Sequence, residues 1–179
     1  LYPTLAPDTV RQILEHSEAK ACFVGKLDGW EGMKPGVPAG MPCISYALSP
    51  DDAIRHYESW DAICARNAPL QGQPVRDGND LATLIYTSGT TGMPKGVMHS
   101  DNTLLANGRM MVRDWHHDQR SILVALSPLS HHIGTVSIEQ WLAAGLQLVI
   151  HNFAAGKPAL DWIIESQGTY VMGVPTHAM

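Results

Sequence analysis

Tyr86-Thr87-Ser88-Gly89-Thr90-Thr91-Gly92-Met93-Pro94-Lys95-Gly96 places four aliphatic hydroxyls, three glycines and one lysine in eleven residues. The apolar run Leu81-Ala82-Thr83-Leu84-Ile85-Tyr86 enters this segment, and a short apolar piece, Val97-Met98, leaves it. A buried strand opening into a loop of this composition is suited to hold an anion. Glycines let the backbone come close and point N–H groups inward. Hydroxyls add neutral donors, and Lys95 adds a mobile positive charge suited to phosphate.

Spacing separates two kinds of phosphate loop. The common nucleotide loop reads G-x-x-x-x-G-K-[ST] and runs straight into a helix. Here the glycines are Gly89 and Gly92, Lys95 is followed by Gly96, and Pro94 precedes it, so no helix starts readily on the lysine. The competing reading is a surface hairpin rich in Ser, Thr and Gly. A plain turn has no use for this length, this hydroxyl density and a Pro-Lys-Gly exit together.

Thr87 to Gly96 resembles the phosphate-binding signature of the adenylate-forming superfamily, which includes acyl- and aryl-CoA synthetases, luciferases and peptide-synthetase adenylation domains. The match runs through ten positions. The resemblance implies that Thr87, Ser88, Gly89, Thr90, Thr91, Gly92 and Lys95 hold the β- and γ-phosphates of ATP while a carboxylate attacks the α-phosphate. It implies an acyl-adenylate, loss of pyrophosphate and transfer of the acyl group to a thiol such as CoA. Mg²⁺ would arrive with ATP, bridging phosphate oxygens and keeping most of its waters.

A second candidate site follows a predicted strand ending at Leu126. Ser127-Pro128-Leu129-Ser130-His131-His132-Ile133-Gly134 is similar to the next family motif, proline-leucine-x-histidine-x-x-glycine. The resemblance puts His131 beside the acyl pocket and the reacting carboxylate. Ser130 stands where an aromatic residue is common. The alternative is a strand-to-helix turn whose histidines have no role. His131-His132 and His116-His117 do not suggest a metal centre, because adjacent histidines point apart and no Cys or carboxylate stands at ligand spacing nearby.

Composition bounds the rest. The chain has 179 residues, 45% hydrophobic and 16% charged, and a net charge of −5, values of an ordinary globular protein. The charge argues against a nucleic-acid binder. Apolar runs such as residues 146–150 are far too short for an integral membrane span, and no signal segment opens the chain. Cys22, Cys43 and Cys64 each lie in an apolar setting and read as buried thiols of a reducing, cytoplasmic compartment.

The pattern of elements predicts an α/β fold, a parallel sheet flanked by helices. Asp8 reads as the N-cap of a helix reaching about Lys20. Strands are expected at 21–25, 43–46, 81–86, 97–99, 122–126, 146–150 and 170–174. Helices are expected at about 51–65, 101–115, 134–143 and 159–165. The Gly- and Pro-rich stretch 26–42 reads as loop. Such a sheet carries ligands at the C-terminal ends of its strands, where the Thr87–Gly96 loop and the His131 turn both fall. Trp115, Trp141 and Trp162 read as packing residues, and Tyr86 as packing at a strand end.

The chain opens on Leu1 and ends at a point where a new helix is expected, and family members are much longer. The expectation is a piece of the large N-terminal AMP-binding domain, with 1–80 as a first α/β part and connector, 81–179 as the phosphate-loop part, and the C-terminal domain absent. Its other partners would be a carboxylic acid and the rest of its own chain. Alone it would bind polyphosphate weakly and not complete adenylation. Two other functions remain open: a non-catalytic nucleotide-binding or oligomerisation module, and an amino-acid-activating adenylation domain.

Overall fold

The computed structural model describes residues 1–73, 75–87, 94–152 and 156–178, with the backbone alone at 176 and 178. Chain contacts divide it into two compact units: Leu1–Arg76 with Leu84–Val97, and Asp77–Thr83 with Met98–Met179. Among the described residues the strands form two parallel three-stranded sheets and one two-stranded sheet. The α/β class with parallel sheets and flanking helices is as expected; among the described residues the strands fall into three sheets.

In the first unit, helix α1 spans Pro7–His16. Its N-cap is Ala6, not Asp8; Pro7 opens the helix, where its fixed φ is already helical and its missing N–H is no loss. Asp8 lies in the first turn and complements the helix dipole. Val10, Ile13 and Leu14 are buried on one face. The helix ends before Lys20 because Glu18 turns left-handed, φ 52°, and Ala19 N–H closes onto Leu14 O at 3.2 Å.

Strands β1 (Cys22–Val24), β2 (Cys43–Ser45) and β3 (Glu58–Ser59) lie side by side in parallel. The stretch read as loop contains helix α2 (Trp30–Met33) and a 3-10 turn, Lys34–Gly36. Burial drives this local order. Trp30 and Met33 join Val10, Leu14, Val24 and Ala53 in one core. Gly36 is required there, since a Cβ would lie 2.1 Å from Pro7 O. Asp52 ties the parts together, accepting from Lys34 Nζ at 2.6 Å and Trp30 Nε1 at 3.2 Å. Lys34 above all holds the Asp52 carboxyl below the usual carboxylate range.

The single helix expected at 51–65 is two, α3 (Asp51–His56) and α4 (Trp60–Arg66). Tyr57 is extended, and Glu58–Ser59 pair with β2 before Ser59 caps α4 through Ala62 N–H at 3.1 Å. A ladder and a cap together outweigh one more helical turn. Cys22 and Cys43 are half-buried and Cys64 on α4 is exposed, so the third thiol does not follow the expected burial.

Strand β4 (Leu81–Thr87) pairs with β5 (Lys95–Ser100), and neither pairs with a parallel sheet among the described residues. Helix α5 (Asp101–Asp114) follows, opened by a capping box between Ser100 and Thr103. In the second unit β6 (Ile122–Ala125) runs parallel between β7 (Gln147–Ile150) and β8 (Tyr170–Met172). Helix α6 (His132–Ala144) ends on left-handed Gly145, φ 66°, and α7 spans Ala159–Glu165. A 3-10 turn, Pro175–Ala178, follows β8. Trp115 and Trp141 are about half exposed, so neither is a core residue of this unit. No described helix is long and apolar enough to cross a membrane.

Candidate phosphate-loop site

The loop is carried by the β4–β5 pair. The two strands are consecutive and joined by only residues 88–94, too few for a parallel crossover, so they run antiparallel. Thr87, the last residue of β4, and Lys95, the first of β5, therefore flank the same end of the pair, and both are exposed. Ser88, Gly89, Thr90, Thr91 and Gly92 lie outside the described residues. The sequence placed this loop on the rim of a parallel sheet; the described strand β4 instead belongs to its own two-stranded sheet.

Both stems are fixed within the first unit. Tyr86 O–H meets His16 Nδ1 at 2.7 Å, and the two rings contact edge to face at 5.7 Å. On the partner strand Gly96 leaves room for the Tyr86 ring, since a Cβ there would lie 3.2 Å from it. Tyr86 thus packs at the strand end as expected, and in addition fastens the loop's entry to the last turn of α1. Lys95 remains available to an anion: among the described residues no ion pair engages its ammonium.

His131 stands in the second unit as the N-cap of α6. Its Nδ1 accepts from Ile133 N–H at 3.3 Å, which in the neutral ring leaves the proton on Nε2. Its own N–H bonds to Pro128 O at 2.9 Å, folding the Pro128–His131 turn back on the helix. Gly134 is needed at this closure, because a Cβ there would lie 2.2 Å from Pro128 O. The proline-leucine-serine-histidine segment and its glycine are therefore one structural device, with the histidine at its exposed corner.

His132 points elsewhere. Its ring stacks on His99 of β5 with centroids 5.5 Å apart and planes 23° from parallel. Burial, then the neighbouring His99 and His131, push its imidazole below the ordinary histidine pKa. Sequence reasoning passed over both His99 and His16. His99 was visible as the third histidine at this end of the motif pair; His16 carries no local signal, since only the tertiary fold brings it to Tyr86. No group of three or more His, Cys, Asp or Glu side chains among the described residues is arranged to hold a metal ion.

Comparison with known proteins gives the family. Residues 1–179 match the family described as AMP-binding enzyme, and the chain belongs to that family. It is 27% identical to long chain acyl-CoA synthetase 4 of Arabidopsis thaliana over 192 aligned positions, covering 89% of this chain and 28% of that protein. It is 31% identical to the sulfoacetate–CoA ligase of Cupriavidus necator, covering 73% of this chain and 25% of that one. The chain thus spans about a quarter of the length of these relatives. A long-chain-fatty-acid-CoA ligase from Archaeoglobus fulgidus shares the fold, with a TM-score of 0.77 at 22% identity over 99% of this chain and 34% of that one.

Proposed function

We propose that these residues belong to a ligase that activates a carboxylic acid with ATP and passes the acyl group to a thiol, CoA being the acceptor. The observation that carries the reading is the β4–β5 pair, with the Thr87 hydroxyl and the Lys95 ammonium exposed at one end and the glycine–hydroxyl run between them. Thr87, Ser88, Gly89, Thr90, Thr91, Gly92 and Lys95 would bind the β- and γ-phosphates. Mg²⁺ would come with the nucleotide and neutralise phosphate charge. The chemistry needs little covalent help: the carboxylate forms its bond to the α-phosphorus as the bond to pyrophosphate breaks. The protein's task is to orient the leaving group and offset its charge. Lys95 would do so at the polyphosphate, and His131 would help shape the acyl side.

The 179 residues alone are expected to bind polyphosphate without turning over. Calorimetric titration of the chain with Mg²⁺–ATP, wild type against Lys95→Ala, tests the reading. Loss of one charge-assisted contact should weaken binding about tenfold, or about 1.4 kcal/mol. Equal affinity in both would remove Lys95 from the site. Robust pyrophosphate release with any acid of a panel would instead show that the chain suffices for the chemistry.

A further inference from the structure

The first unit contains a thiol pair that the proposed ligase chemistry does not use. Cys22 of β1 and Cys43 of β2 are register partners in a parallel ladder, so their side chains leave the same face of the sheet. Neighbouring strands lie about 4.8 Å apart, inside the roughly 4.4–6.8 Å Cα range that a disulfide spans. The Cys43 thiol donates to Met41 O at 3.6 Å, on the residues leading into β2. A cavity of about 380 Å³ borders the pair at Cys22, walled by Val10, Leu14, Val24, Trp30 and Met33, and has room for a small neutral oxidant. Cys64, the third free cysteine, sits exposed on α4.

We propose that Cys22 and Cys43 form a redox pair that closes to an intrachain disulfide when the protein meets a two-electron oxidant such as hydrogen peroxide. Cys22 borders the cavity and is the attacking group. Its thiolate takes one peroxide oxygen, the O–O bond breaks, and the departing hydroxide collects a proton as water. Cys22 is then a sulfenic acid. The Cys43 sulfur attacks it, the S–S bond forms, the S–O bond breaks, and the oxygen leaves as a second water with the Cys43 proton. Two thiols and one peroxide thus give one disulfide and two waters. Burial raises both thiols above their ordinary pKa, so the reaction is slow at neutral pH and quickens as pH rises. Thiol–disulfide exchange with an external thiol opens the bridge again.

The test uses the reduced chain, titrated with hydrogen peroxide and assayed for free thiols after unfolding. Wild type should fall from three thiols to one, with peptide mapping joining residues 22 and 43, and dithiothreitol should restore all three. Cys64→Ser should fall from two thiols to none at the same rate. Cys43→Ser should stop at a Cys22 sulfenic acid that dimedone traps. Loss of Cys64 first, through dimers between chains while residues 22 and 43 stay reduced, overturns the proposal. So does separate oxidation of Cys22 and Cys43 without a link, a result read on wild type whatever the fate of the variants.

Discussion

The two parallel sheets have the same number of strands and differ in how the middle strand is covered. In the second unit β6 reads Ile122-Leu123-Val124-Ala125, and Leu123 and Val124 are 0% exposed. In the first unit β2 reads Cys43-Ile44-Ser45; Cys43 and Ile44 are half-buried, and the buried residue is a serine. The Ser45 hydroxyl lies 3.4 Å from each of the carbonyls of Tyr57 and Glu58. On β1, Phe23 is 50% exposed and meets Tyr46 and Trp60 at 5.9 and 5.8 Å. An apolar strand in mid-sheet must be covered on both faces, and β6 is. The first unit builds its apolar core mainly from residues outside the middle strand, Val10, Leu14, Trp30 and Met33, with Cys43 of β2 packed against it. Parallel pairing alone therefore says little about where stability resides.

Truncation on the two middle strands puts the contrast to its sharpest test. Leu123→Ala leaves a cavity in a fully covered site and should cost about 2–5 kcal/mol in urea unfolding. Ile44→Ala removes a half-exposed side chain and should cost about 1 kcal/mol. Equal losses would mean that the middle strands carry the same load. Helix caps give a second, smaller contrast. Ser100→Ala breaks a reciprocal capping box on a 14-residue helix and should cost about 1 kcal/mol. Ser59→Ala loosens α4, which has no buried residue, and should cost about 0.5 kcal/mol, the low end for a cap. Hydrogen exchange at the Thr103 and Ala62 amides reads each loss locally; faster exchange at Ala62 than at Thr103 on a matched scale would reverse the ranking.

The same difference explains what the sequence disclosed. In the second unit the helices α5 and α6 run 14 and 13 residues: Ala159–Glu165 forms as expected, β6, β7 and α5 shift by a residue at one end, α6 starts two residues earlier and β8 ends two residues earlier. In the first unit, elements of two to four residues owe their existence to partners far along the chain. Trp30 and Met33 fold a glycine-rich stretch because they have a core to enter. Residues 58–59 leave a helical pattern because β2 offers a ladder. The site divides likewise. Thr87 and Lys95 stand out as candidates because glycine spacing and a proline–lysine exit are local chemistry. The anchor from His16 to Tyr86 spans 70 residues and has no local signature. The cap made by His131 was hidden because histidine is not an expected cap; only Gly134, pressed against Pro128, betrays it.

Buried ionisable groups supply the finest contrast. Glu139 on α6 is 6% exposed, its carboxylate has no hydrogen-bond partner among the described residues, and burial raises its pKa. Burial lowers the pKa of His117 and, with its histidine neighbours, that of His132. The signs oppose. Below the ordinary histidine value of about 6.5 the unfolded chain takes protons that folded His117 and His132 refuse, so stability falls as pH falls. Above the ordinary glutamate value of about 4.3 the unfolded chain releases a proton that folded Glu139 keeps, so stability falls as pH rises through that window. In the wild type the two slopes partly cancel between these values. Glu139→Gln should raise Tm at pH 7 by about 2–4 °C, the equivalent of about 1 kcal/mol for a chain this size. It should also steepen the loss of stability on acidification below pH 6.5, since only the histidine slope remains. Thermal unfolding of both proteins across pH 4.5 to 7.5 measures this. A variant that tracks the wild type in parallel at every pH would show that the buried carboxyl titrates alike in both states.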